Sequence, residues 1–368
     1  MPGAKVAACS RAPRGGLDRV IMARVRSVPL GMRVALGVFT ALGALTCVDA
    51  TNLGHPAAWL AMAAIPAAAL VHRRPLLFGL ALTVGAIWLR LVFAGLPVGA
   101  DQLIVGQAAL QQVLAGGSPY GIGYAASMPP GAPFVYGPLM LLTAPLGVIG
   151  EVLAGAGVMV LLTLRGSFVT LAVYGALGFA VQLSTSGIND GIPAFVVFAG
   201  LLALERHRRA GGVLLAVAAA LKPYAFAWFP AAIGFGGMAT AVAALGVTAI
   251  CWAPLVVWGP SSFLRSLDLA AAAHPVPANS FDLPAGRLLA IPIGALSLLV
   301  RRWTLVVLSG TAIFVVVLFF DRWASVGYLL VILPLFGYLL ERRSPSTGSS
   351  RQAPEWGVRG GRAAGTGR

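Results

Sequence analysis

Long apolar stretches almost free of charge dominate this chain, and they decide what it can fold into. Runs such as Leu76–Leu89, Val158–Leu164, Ala239–Cys251 and Leu305–Phe320 hold no charged residue. They lie in segments close to the roughly 20 residues that carry a helix across a bilayer. Of the 368 residues 58% are hydrophobic and only 10% charged, against about 25% charged in a soluble domain. The composition therefore excludes a water-soluble globule. It predicts an all-α, polytopic transmembrane helical bundle with room for roughly ten to twelve spans.

The net charge of +15 raises nucleic-acid binding as a possibility, and the placement of the bases argues against it. Arginines gather in the tails (Arg11, Arg14, Arg19, Arg24, Arg26 and Arg33; then Arg342, Arg343, Arg351, Arg359, Arg362 and Arg368) and in short loops. That is the pattern of the positive-inside bias, with membrane lipids carrying anionic headgroups as the electrostatic partner. No basic stripe interleaved with aromatics is present, so no nucleic-acid partner is expected. Cys9, Cys47 and Cys251 show no paired spacing, which supports neither a disulfide framework nor a Cys/His metal site.

The tails 1–30 and 344–368 read as disordered, basic and cytoplasmic, and 31–343 as the membrane domain. Expected spans are 33–49, 56–71, 75–95, 135–150, 152–183 (one or two), 191–204, 211–234, 237–257, 287–300, 303–320 and 324–340. His72–Arg74, Glu205–Arg209 and Arg301-Arg302 mark cytoplasmic turns. Two longer loops, about 96–134 and 258–286, fall on the outer face; the first contains no Lys or Arg. Parity requires an even number of crossings between residues 134 and 190. Segment 211–234 must also return to the side it entered, so Lys222-Pro223 is expected to mark a broken helix or helical hairpin.

The scarce acids are the residues to weigh. Asp101 precedes a helical pattern in which Leu103, Leu110 and Leu114 share a stripe, as in a short amphipathic helix at the membrane interface. Its carboxylate can cap that helix or face an acceptor hydroxyl as a general base. Gly117-Ser-Pro-Tyr120 ends the helix, and a proline-set stretch over 128–138 leads into the next span. Tyr120, Tyr124 and Tyr136 read either as an interfacial aromatic belt or as a platform for sugar or lipid.

Asp101, Gly117-Ser-Pro-Tyr120, and Tyr136-Gly-Pro-Leu139 with Pro145-Leu146 together resemble the first outer loop of GT-C-fold glycosyltransferases. The match is best to the polyprenyl-phosphate-mannose-dependent mannosyltransferases of glycosyltransferase family 87. Gly187-Ile-Asn-Asp190, the basic run Arg206–Arg209 and Ala218-Ala-Ala-Leu-Lys222-Pro223 resemble that family's middle segment, and the resemblance covers about residues 85–235. It implies a GT-C-type enzyme of the cell membrane with its active site on the extracytoplasmic face. The donor would be a polyprenyl-phosphate sugar and the acceptor an envelope glycolipid or glycan. Asp101 would be the base, transfer would invert the anomeric carbon, and neither a cofactor nor an obligatory metal is implied.

The physical reading adds ligands for a phosphate leaving group, which needs cationic stabilisation. Lys222, one of two lysines in the chain and set inside an apolar segment, marks function by its cost there; at the break it could instead snorkel to an interface. Arg322 and Arg90 are the other phosphate candidates. Asn189 and Asp190 read as a helix start or as sugar ligands beside Tyr120 and Tyr136. Asp268, His274 and Asp282 match no metal spacing. Two rival functions remain at this level: a transporter or flippase of lipid-linked sugars, and a catalytically silent assembly partner.

Overall fold

The computed structural model describes residues 29–94, 100–128, 130–273, 283–320 and 326–343. Helix α1 (Leu30–Asn52) leads into a 3₁₀ stretch (Pro56–Ala63) continued by α2 (Ala64–Leu70), and α3 (Pro75–Ala94) follows. After α4 (Gln102–Leu114) comes a two-residue ribbon, β1 (Gly123–Tyr124) with β2 (Ala132–Pro133), antiparallel with Gly123 opposite Pro133. Among the described residues every other regular element is helical. Among the described residues, four helical stretches are long and apolar enough to cross a membrane: Leu30–Asn52, Pro75–Ala94, Met140–Leu164 and Met238–Trp258. An apolar surrounding forces this choice, since each backbone N–H and C=O must be satisfied within its own segment.

The third of these stretches comprises α5 (Met140–Thr143), a 3₁₀ turn (Ala144–Leu146) and α6 (Gly147–Leu164). Gly147 takes φ +52, a left-handed value open to glycine, and lets the path bend without ending. The chain runs straight through residue 151, where separate spans 135–150 and 152–183 were expected. The reversal comes instead around Gly166, φ +70. Next come α7 (Phe168–Ala176) and α8 (Gly178–Leu183), parted at Leu177. These two legs meet the parity requirement, because residues 136 and 189–190 lie at the same end of the bundle.

After α9 (Gly191–Leu204) and α10 (Arg208–Leu221) the chain breaks at Lys222, whose backbone is extended at φ −134, ψ 125. A 3₁₀ stretch (Pro223–Trp228) and α11 (Phe229–Gly236) carry it back. The return is fixed where Thr240 Oγ1, in α12 (Met238–Trp252), donates to the Arg208 carbonyl at 3.2 Å. The hairpin required at Lys222-Pro223 is therefore present. Then follow α13 (Pro254–Trp258), α14 (Pro260–Ala273), a 3₁₀ stretch (Pro284–Leu289) with α15 (Ala290–Ser297), α16 (Trp303–Phe319) and α17 (Leu329–Arg343).

Side chains label the two ends. At one, Glu205 bridges Arg165 (3.2 Å) and Arg342 (2.7 Å). Beside it the Glu341 carboxylate accepts from the Val169 and Thr170 amides at 3.0 and 2.9 Å, and Arg301 donates to the Gly234 carbonyl. The basic turns at 165, 205–209, 301 and 342 thus share one end. Bonds at the opposite end hold the Asp101 region: Ala100 N–H to the Ser186 carbonyl at 2.8 Å and Leu103 N–H to that of Gly187 at 3.0 Å.

Between the ends lies a core of Phe39, Phe78, Leu82, Leu162, Phe198 and Trp228, all fully buried. Arg90 is buried among them at 0% exposure. Its guanidinium donates to the Tyr174 carbonyl (2.8 Å) and the Gly175 carbonyl (3.0 Å), at the C-terminal end of α7 where the helix breaks. It also lies 5.2 Å from the Tyr174 ring centroid. Helix-end carbonyls are the natural partners of a cation, so Arg90 serves the break and is not presented to a phosphate.

Candidate functional site

Asp101 immediately precedes α4, as expected, but its side chain caps nothing. Its Oδ2 accepts instead from the Met128 N–H at 2.7 Å, across the loop that follows the helix. The carboxylate is half-buried at the rim of the bundle. The buried stripe of α4 also differs from the expected leucines: Gln102, Leu103, Val105, Gly106 and Ala109 face inward, whereas Leu114 is 70% exposed. Of the expected stripe, Leu103 faces inward and Leu114 does not.

One residue further on, Gln102 joins Asp101 to a buried cluster. Its Oε1 accepts from Lys222 Nζ at 3.1 Å and from the Asn189 N–H at 3.3 Å. Lys222 Nζ also meets Asp190 Oδ1 at 2.6 Å, with the two side chains 3% and 0% exposed. The ammonium lies 4.9 Å from the Tyr136 ring centroid and 5.9 Å from that of Tyr328. The Tyr136 hydroxyl faces the Asn189 side chain. Burial above all, then the Asp190 carboxylate, holds that phenol well above its usual range, so it stays a neutral O–H. Of the residues singled out in sequence, Asp101, Tyr136, Asn189, Asp190 and Lys222 therefore converge.

Tyr120 stands one layer behind. Its hydroxyl donates to the Tyr136 carbonyl at 2.9 Å, and its ring packs against Phe134, Trp258 and Phe263 at 5.2 to 5.8 Å. With Tyr124 and Tyr136 also buried, these tyrosines form part of the loop's core and not an aromatic belt facing outward. Helix α14 covers this layer, with the Gly121 N–H donating to Ser266 Oγ at 2.8 Å. Asp268, on the exposed side of α14, takes no part. Arg322, His274 and Asp282 lie outside the described residues.

Gly137 fixes the approach of this loop to the helix break. Its N–H donates to the Leu221 carbonyl at 3.0 Å, and a Cβ there would run into the Ala220 carbonyl. A proline at 137 would lose that hydrogen bond and collide. Gly137→Ala is expected to destabilise the protein by about 1–3 kcal/mol, the usual cost of overpacking, read as a lowered unfolding midpoint in detergent.

Glu151 is the site residue that sequence reasoning missed. It is 1% exposed on α6, and its Oε2 accepts from the Gly191 N–H at 2.5 Å. That amide opens α9, so a carboxyl oxygen from another helix serves as its cap. Through Gly191 it braces Asn189 and Asp190. The signal was a lone acid inside an apolar run. Glu151→Gln keeps an acceptor for the amide and should have little effect on stability. Glu151→Leu strands the amide and should cost about 1–3 kcal/mol, measured the same way.

Among the described residues, Asp190 Oδ2, Asn189 Oδ1 and Glu151 Oε1 have no hydrogen-bond partner, and no group of three or more His, Cys, Asp or Glu side chains is placed to hold a metal ion. The arrangement offers a rim carboxylate, a buried ammonium–carboxylate pair, two amides and two phenol rings. Comparison with family models, with curated proteins and with solved structures finds no match to this chain.

Proposed function

We propose that this protein is a membrane-embedded GT-C-type glycosyltransferase that moves a sugar, mannose by the resemblance, from a polyprenyl-phosphate donor to an envelope glycolipid or glycan. One observation carries the reading. A half-buried carboxylate, Asp101, sits beside hydroxyl, amide and ring groups that four separate chain segments bring to one end of an apolar bundle. Carboxylate, amide and aromatic side chains are the groups that bind and activate a polyhydroxylated substrate. In this reading the site faces outward from the cell membrane, opposite the end that gathers the basic turns.

Asp101 takes the proton of the acceptor hydroxyl as its oxygen bonds to the anomeric carbon. On the opposite face the bond from that carbon to the phosphate oxygen breaks, and the lipid phosphate leaves with the electron pair. The protein supplies position and a water-poor surrounding, which strengthens each electrostatic contact. Membranes containing the chain, given labelled polyprenyl-phosphate-mannose and an envelope lipid extract, should transfer label to acceptor. Failure across a panel of donor sugars would remove the reading.

A second reading rests on the helix broken at Lys222 with a buried ion pair at the break, an architecture that transporters use near the membrane midplane. A transporter or flippase of lipid-linked sugars would move label across sealed vesicles without forming a new glycosidic bond.

A further inference from the structure

Resting on the glycosyltransferase reading, we infer that the Lys222–Asp190 pair binds a hydroxyl of the transferred sugar and not the donor phosphate. An ammonium has three N–H donors. Lys222 spends one on Asp190 Oδ1 (2.6 Å) and one on Gln102 Oε1 (3.1 Å). Among the described residues the third meets no oxygen acceptor and lies between the rings of Tyr136 and Tyr328. Asp190 keeps Oδ2 without a partner. The pair thus offers one donor that faces only aromatic rings next to one carboxylate oxygen without a partner, both buried. A hydroxyl both accepts and donates, and it completes each. A phosphate oxygen only accepts, and it would face the open carboxylate oxygen.

Charge points the same way. The ammonium is already matched by Asp190, with the Glu151 carboxyl bracing the next residue and Asp101 at the rim. A phosphodiester entering here would meet the Asp190 and Asp101 carboxylates against a single ammonium. The rings of Tyr136 and Tyr328 complete a wall suited to the C–H face of a sugar. The inner cluster reads the sugar and leaves the lipid phosphate outside it.

The test is competition binding to the full chain in detergent micelles. The competitors are bare polyprenyl phosphate and the same lipid carrying mannose, glucose or galactose, tested against wild type and the Lys222→Met/Asp190→Asn double variant. Wild type should prefer one sugar-bearing lipid over the bare lipid by roughly tenfold to a hundredfold, the range of a hydrogen bond to a charged group. The double variant should lose that preference and bind the bare lipid as wild type does. Tyr328→Leu, which leaves the ion pair intact, should weaken the same preference and serves if the double variant does not fold. Loss of bare-lipid binding in the double variant would make Lys222 a phosphate ligand and overturn the inference. Binding of all lipids by wild type without preference overturns it too, leaving the transferase reading in place. Binding of none removes both.

Discussion

Replacing Asp101 by Asn is expected to lower sugar transfer by roughly 10²–10⁴-fold, the contribution of a positioned general base, at unchanged protein abundance. The substitution is suited to the question. Asn presents a side-chain oxygen where Asp101 Oδ2 accepts from the Met128 N–H, so the loop keeps its tie and only the basicity is lost. A carboxylate that merely pinned the loop would tolerate the change with near-normal transfer. Initial rates with labelled donor, normalised to the amount of chain in the membrane, separate the two. Equal rates in the two proteins would sink the base assignment while leaving the enzyme.

The largest stability effect belongs to Lys222. Lys222→Met leaves Asp190 buried at 0% exposure without its cation, and breaking one side of a buried pair costs about 3–5 kcal/mol. Asp190→Asn in the wild-type background strands the ammonium and should also destabilise. Combined, Lys222→Met and Asp190→Asn remove both charges, and the double variant should be more stable than either single one. Unfolding midpoints of the four proteins in one detergent complete the cycle. Additive losses would show that the two side chains do not act as a pair.

Much of this site was legible because it is built from exceptions. Asp101, Asp190 and Lys222 are charges where an apolar chain needs none, and each stands beside a helix boundary. The break at Lys222-Pro223 was demanded by parity, and the hairpin is there. What stayed hidden was long-range. Nothing local shows that Gln102 reaches across 120 positions to Lys222, or that Tyr328 closes the other side. Glu151 escaped because an acid in an apolar run reads as a loop until the helix is seen to continue through it. The leucine spacing of α4 is only partly followed: Leu103 faces inward beside Gln102, Val105, Gly106 and Ala109, while Leu114 is exposed. Tyr120 supports Tyr136 from behind, a role that a list of aromatic residues cannot distinguish from contact with substrate.

Arg90 carries a consequence for how the chain is assembled. The two terminal nitrogens of its guanidinium donate to the carbonyls of residues 84 and 85 positions later. During synthesis at about 5–20 residues per second, α3 is therefore complete roughly ten seconds before those partners exist. In that interval a lone arginine in an apolar helix costs about 2.5–3.5 kcal/mol to insert. Helix α3 is thus a conditional passenger: it gains its place in the bilayer together with α7, and order of arrival becomes part of what the sequence encodes.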